Sequence, residues 1–205
     1  MAASMNRLIF TRGDVLVGAA SVVSAFGSPL LAINLRTGET VPIPDPSLFI
    51  YDLLYSARAA SLFSLAVQSS VQGIRTLFKM HSGPLFERSK VLASYDGEDL
   101  GASLAEDSSG RIYCSLGYGP VLVWDGSRLA HLENQRSIAR MLFSSGNKLF
   151  ALNADSSIAV WDLAEGHPAG KPWEIHLFRD GEWAVVSAEG SVYASTGGRR
   201  YLAQS

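Results

Sequence analysis

Apolar residues along this chain come in short runs, alternating or continuous, each cut by Gly, Ser, Asp or Pro. Three segments align without gaps: SSGRIYCSL from Ser108, SSGNKLFAL from Ser144 and RDGEWAVVS from Arg179. Their glycines, Gly110, Gly146 and Gly181, stand 36 and 35 residues apart. After each come a period-two pattern, a turn and a second strand, ending in GYGPVLVWD, NADSSIAVWD and SAEGSVYAS. Two such runs joined by a turn predict a β-hairpin, so the second half restates one hairpin three times.

The first half is a looser version of the same pattern. TRGDVLVGA from Thr11 leads through Gly-Ser-Pro into PLLAINLRTGETVPIP, and ARAASLFSLAV from Ala57 leads through QSSVQG into IRTLFKMHSG. Corresponding strands lie roughly 47 to 50 residues apart there, a difference that longer connections supply at little entropic cost. LFIYDLLYS, DLGASLAED and SIARMLFSS are predicted as the innermost strand of the unit that follows each. No stretch of 11 or more residues keeps an apolar stripe at helical spacing with caps at both ends. The prediction is an all-β chain of four four-stranded antiparallel units and a shorter fifth.

Units of this size, each unable to bury both sheet faces alone, suit a β-propeller in which neighbouring blades cover one another. The endings Val123-Trp124-Asp125 and Val160-Trp161-Asp162 resemble the third strand of blades in WD-repeat proteins. INLRTGETV, from Ile33 to Val41, is similar to the strand, Thr-Gly, strand turn of such blades. RDGEWAVVSAEGSVYASTGGRRYL resembles the closing segment of bacterial WD-repeat proteins. The likeness covers residues 100–205 best. The Gly-His pair that opens a WD blade is missing, so the family's buried hydrogen-bond network is not carried over. What the resemblance implies is Trp124 and Trp161 as packing between blades, with Asp125 and Asp162 as turn residues at the strand end; Trp183 is the structural residue of the degenerate closing repeat. Asp155 fits the tight turn before Ser157 to Trp161 on its own chemistry.

Blades of about 40 to 45 residues allow about five in 205 residues, near the lower limit of closed rings. Three outcomes stay open: residues 1–205 form a small closed ring, a fragment of a longer propeller, or an incomplete ring that a second copy completes. An unclosed arc exposes strand edges, which invite pairing with another chain.

Composition narrows the function. A chain of this length buries roughly 70% of its unfolded surface and needs no staple. The formal net charge of -2 with 18% charged residues leaves no basic stripe for nucleic acid. No clean run of about 20 apolar residues predicts a membrane span. MNRLIFTRGDVLVGAASVVSAFG has two arginines before an apolar stretch, but Asp14 beside that stretch disfavours a signal peptide, so a strand pair and a cytoplasmic location are expected over secretion. Cys114, the single cysteine, is expected as a small buried hydrophobe.

Candidate chemistry is sparse. His81, His131, His167 and His176 are scattered without metal-ligand spacing, and Asp96, Glu98 and Asp99 lack the full ligand series of a calcium loop. Gly197 and Gly198 before Arg199 and Arg200 could cradle an anion, though a turn with two surface arginines is the plainer reading. No serine sits in a nucleophile elbow. No catalytic residue, metal or cofactor is expected. Exposed Trp and Tyr make interface anchors, which marks Trp173, Trp183, Tyr118 in GYGP, Tyr51 and Tyr55 as aromatic candidates; alternation is expected to bury most of them between blades, with Tyr118, flanked by glycines in a turn, the most exposed. The expected function is a non-catalytic protein-interaction scaffold whose surface includes Tyr118, Trp173, Arg199 and Arg200, with an unknown protein partner or a homodimer through open blade edges. The alternative is a propeller enzyme or small-ligand binder with its site at a central channel.

Overall fold

The computed structural model describes residues 5–11, 13–20, 30–70, 73–96, 102–116, 120–132, 139–163 and 170–202. Strands β1 (Met5–Phe10), β2 (Val15–Ala20), β3 (Leu30–Asn34) and β4 (Thr40–Ile43) form the first antiparallel sheet in chain order. The second holds β5 (Phe49–Ser56), β6 (Ser61–Ser70), β7 (Gly73–Ser82) and β8 (Arg88–Asp96). The third holds β9 (Ala102–Glu106), β10 (Ile112–Leu116), β11 (Leu122–Trp124) and β12 (Leu129–His131). The last sheet has six strands: β13 (Ala139–Ser145), β14 (Lys148–Asn153), β15 (Ile158–Asp162), β16 (Trp173–Leu177), β17 (Trp183–Val186) and β18 (Val192–Ala194). A single helical turn, α1 (Arg199–Leu202), follows. Four separate antiparallel ladders of hairpin-linked strands are consistent with a β-propeller-like fold.

The repeated glycines explain themselves in the turns. Gly110, Gly146 and Gly181 have φ of 83°, 57° and 82°, a left-handed conformation that costs an L-residue with a Cβ about 1–2 kcal/mol. In the second sheet Ala60 takes the equivalent position with φ 47°, which is why the glycine spacing fades in the first half.

The expected fifth unit differs from the observed one. β16 pairs with β15 through Ile158↔Ile175 and with β17 through Ile175↔Val185, so β16 to β18 extend the fourth sheet instead of starting a new one. Both edges of β16 carry free backbone groups, and the nearest ladder satisfies them.

The chain divides into two compact units, Met1–Leu104 and Ala105–Ser205. In the first, Val17, Ala19 and Leu30 on the first sheet meet Ile50, Leu62 and Ala66 on the second. In the second unit, Tyr113 and Val123 on the third sheet, with Val121 just before β11, meet Leu149, Ala159 and Trp161 on the last. Strand β10 is buried at all five positions, as is β6 from Leu62 to Val67. On the last sheet the side that carries Met141, Phe143, Leu152, Trp173, Leu177 and Trp183 is exposed, and on the first sheet Leu8 and Phe10 of the edge strand are exposed while Leu31 is buried.

Candidate functional site

Two regions depart from an ordinary sheet core. The first is a sealed polar cluster in the first unit. Asp45 ends a local turn in which the Ser47 amide donates to its Oδ1 at 2.8 Å. Lys79, on β7, donates from Nζ to Asp45 Oδ1 at 2.8 Å and to Ser47 Oγ at 2.7 Å. His81, two residues on along the same face, brings Nε2 to 2.8 Å from Ser64 Oγ and 3.8 Å from Asp45 Oδ2. All of these residues are buried. Burial pushes the Asp45 carboxyl up, but Lys79 and Ser47 outweigh it and hold it below the usual carboxylate range. Burial drives His81 down to about 4, with Asp45 opposing and Lys79 adding to the shift, so the imidazole is neutral at pH 7.

Serine, histidine and aspartate in contact invite comparison with a hydrolytic triad, and the geometry answers it. A triad carboxylate holds the ring nitrogen opposite the one that faces the serine. Here both Ser64 and Asp45 face Nε2, Nδ1 has no hydrogen-bond partner, and Ser64 is 0% exposed. No substrate reaches this serine, and the cluster acts as a polar tie between the Asp45 turn and β7.

The part of this cluster with a local sequence signal is its Asp-x-Ser turn, a pattern that occurs at Asp45, Asp107, Asp125 and Asp155 and does not itself tell a buried turn from an exposed one. In each, the serine amide donates to the Asp Oδ1 at 2.8 to 2.9 Å. Such Asx turns are local and solvent-compatible. Asp107 also receives Arg111 Nη2 at 2.6 Å and Tyr113 Oη at 2.9 Å, all three side chains being buried. The Asp125 carboxyl is exposed, and the Arg128 and Ser127 amides hold it down at about 2.

The second region is the open face of the last sheet. Strand register sets Met141, Leu152, Ile158, Ile175, Val185 and Tyr193 in one row across six strands. Beside it run Phe143, Phe150, Val160 and Trp173, with the Phe143 and Phe150 rings 5.1 Å apart. Leu177 and Trp183 pair on the other flank. Met141, Phe143, Leu152, Trp173, Leu177, Trp183 and Tyr193 are between 39% and 63% exposed. The charged groups in these rows are Lys148 and Asp162, directly opposed and bonded at 2.6 Å. An open concavity of about 320 Å³ lies here, lined by Lys148, Phe150, Val160, Trp173, Ile175 and Val185. One ion-paired lysine among five apolar residues offers a small molecule little to fix its orientation.

The residues expected to matter divide between these settings. Trp173 lies on the open face, and so does Trp183 of the closing repeat. Trp161 fills the second unit's core and Trp124 is buried. Asp125 organises its turn, whereas Asp162 reaches across to Lys148 instead. Tyr118, His167, Glu98 and Asp99 lie outside the described residues. Arg199 is exposed, and Arg200 donates to Asp180 at 2.9 Å beside Tyr201, whose ring stacks on Phe178 at 4.3 Å. The Gly197 and Gly198 amides donate to Glu182 and Ser195, so they do not cradle an anion. Asp96 pairs with Arg75 at 2.6 Å, and Cys114 is buried in β10. Tyr51 and Tyr55 are half-buried, Tyr55 against the first unit's core. Among the described residues no helix is long and apolar enough to cross a membrane.

No family model matches this chain, and no curated protein matches it. Solved structures do. An auxiliary nutrient binding protein from Bacteroides thetaiotaomicron VPI-5482 is similar with a TM-score of 0.54 at 12% identity over 94% of this chain and 57% of its own. The computationally designed Ika8 protein is similar with a TM-score of 0.44 at 17% identity over 93% and 70%. An auxiliary nutrient binding protein from Bacteroides ovatus ATCC 8483 has a TM-score of 0.48 at 14% identity over 93% and 57%. This chain therefore spans little more than half the length of the two nutrient-binding proteins. At 12% identity the likeness to the Bacteroides thetaiotaomicron protein is one of fold.

Proposed function

We propose that this chain is a non-catalytic, WD-repeat-like interaction module that docks another β-structured protein surface on the open face of its last sheet. The observation that carries the reading is the set of apolar rows on that face, where seven large side chains are substantially exposed. A typical soluble monomer keeps its largest apolar patch to about 300–600 Å², and seven such side chains at half exposure present roughly 700 Å². Larger patches of this kind mark interaction sites. The strands say the same in their composition. LFAL in β14 and IAVW in β15 are continuous apolar runs, the pattern of a strand covered on both sides. The covering surface is therefore apolar and flat, as a second sheet is.

Catalysis is disfavoured because the titratable groups that converge in the first unit, Asp45, Lys79 and His81, are sealed from substrate. Iodide quenching of tryptophan emission tests the docking reading. Trp173 and Trp183 are to be reachable in the dilute free chain, leaving the emission of Trp124 and Trp161 unquenched. Protection of all four tryptophans in a chain shown to be a single copy would remove the basis of the proposal.

A further inference from the structure

The connection from β4 to β5 lies over the sealed polar cluster as a strap. It runs Pro44-Asp45-Pro46-Ser47-Leu48, with Pro44, Pro46 and Leu48 exposed and Asp45 and Ser47 turned inward. Proline has no N–H, and among the described residues none from Pro44 to Ser47 shares a backbone hydrogen bond with a strand. The nearest backbone tie is at the far end, where the Leu48 amide donates to the Val67 carbonyl at 2.6 Å. Side chains hold the rest down: Lys79 Nζ donates to Asp45 Oδ1 and Ser47 Oγ, and His81 Nε2 lies 3.8 Å from Asp45 Oδ2.

This setting accepts a neutral His81 and rejects a charged one. One carboxylate faces the ring, and Lys79 already holds its other oxygen at 2.8 Å. Nδ1 is buried with no hydrogen-bond partner, so an imidazolium would hide a second N–H with nothing to accept it. The elements around it supply no compensating charge. Ser64 on β6 is bonded to Nε2, Ser89 on β8 stands opposite in register, and Tyr55 on β5 is two strands away in the same row. The first sheet contributes Val17, Ala19, Leu30 and Ile43 to this core, none of them ionisable.

We propose that the strap is an acid-operated flap: when His81 takes up a proton, residues 44–48 lift away from β7 and admit water, while the sheets beneath stay folded. Lifting gives both imidazolium N–H groups water to donate to and relieves the crowding of two cations on one carboxylate. It breaks no ladder. The flap lies wholly within the first unit and is independent of the docking reading.

The direction with pH follows from His81, whose pKa burial lowers to about 4 under the closed strap, against an ordinary 6.5 in water. Above about pH 6.5 the ring is neutral in both forms and the strap stays shut. From there down to about pH 4 the lifted form gains about tenfold per pH unit, roughly 300-fold in all, and below that the share due to His81 levels off. Asp45, held below its ordinary 3.8, favours lifting only beneath that value.

Native-state amide hydrogen exchange, read residue by residue by NMR on the 205-residue chain, tests this. The Ser47 amide, whose acceptor is the Asp45 carboxylate, reports the strap, and the Leu65 amide inside β6 reports the sheet. Ser47 is expected to exchange through an opening that low urea leaves unchanged, whereas urea speeds the exchange of Leu65. Its opening constant is expected to rise about 300-fold between pH 6.5 and 4. His81→Gln removes that rise, with Leu65 protection showing that the variant is folded; His81→Asn takes its place if it is not.

Three results overturn the proposal. The first is a Ser47 opening constant that stays level across this pH range in the wild type. The second is a rise that survives the loss of the imidazole. The third is exchange of Ser47 and Leu65 through one opening with a shared urea dependence, which would tie the strap to global unfolding.

Discussion

Strand β10, IYCSL, is buried at every position, whereas β14, KLFALN, built on the same glycine-led hairpin 36 residues further on, is buried only on alternate ones. Leu149, Ala151 and Asn153 of β14 face the second unit's core side; Lys148 and Leu152 are exposed and Phe150 half-buried on the other. Residue composition does not separate the two strands, since IYC in β10 and LFAL in β14 are both apolar runs of the sort that sheets with two covered faces require. The difference is one of neighbours. A strand apolar on both sides and covered on only one leaves apolar surface exposed, and that surface is where docking is proposed.

Substitutions on the two sides of the last sheet measure that asymmetry directly. Trp161→Ala, on the covered side, is expected to cost about 3–5 kcal/mol of unfolding free energy in urea titrations, through lost burial and the cavity left behind. A cost similar to that of a surface change would place Trp161 outside the core. In the second sheet, Lys79→Ala is expected to cost about 3–5 kcal/mol by leaving the Asp45 carboxylate buried and unpaired. Asp45→Asn combined with Lys79→Met should recover much of that loss, and failure to recover would show that the pair is not the source of the cost.

A smaller effect follows from pH. The folded pKa of His81 lies below the ordinary 6.5, so the unfolded chain binds its proton first. The stability this contributes is fully present above about pH 6.5 and is lost as the pH falls through the folded value of about 4. Asp45, held below its ordinary value, adds a loss of the same sign beneath about pH 3.8. His81→Gln should flatten the urea midpoint between pH 6.5 and 4, and an unchanged slope there would assign the titration to another group. The smallest expected effect is on the open face. Phe143→Ser is predicted to change the unfolding free energy of the single chain by no more than about 0.5 kcal/mol. A loss near that of Trp161→Ala would show that this face is packed, and the comparison with β10 would collapse.

Much of the architecture was legible in local chemistry. The glycine spacing located the hairpin turns, because only a residue without Cβ enters their left-handed backbone freely. Period-two runs located the strands, including β5, β9 and β13 at the start of their sheets. Asp125 and Asp155 organise turns from within their own four or five residues. The fusion of β16 to β18 onto the fourth sheet was not legible, since both edges of a strand are chemically alike and only proximity selects which ladder it joins. The Asp45, Lys79 and His81 cluster was equally hidden. Its members are as many as 36 positions apart, and what makes an Asp-x-Ser turn buried or exposed is the sheet that folds over it.

By itself, then, this sequence determined the strands, their turns and the apolar character of both sides of the core strands, all of which depend on residues within a few positions of one another. Only the tertiary structure decided which apolar sides find cover. Cover is a property of surfaces brought together across the chain, and on the last sheet the side that holds Trp173 and Trp183 has none within the second unit.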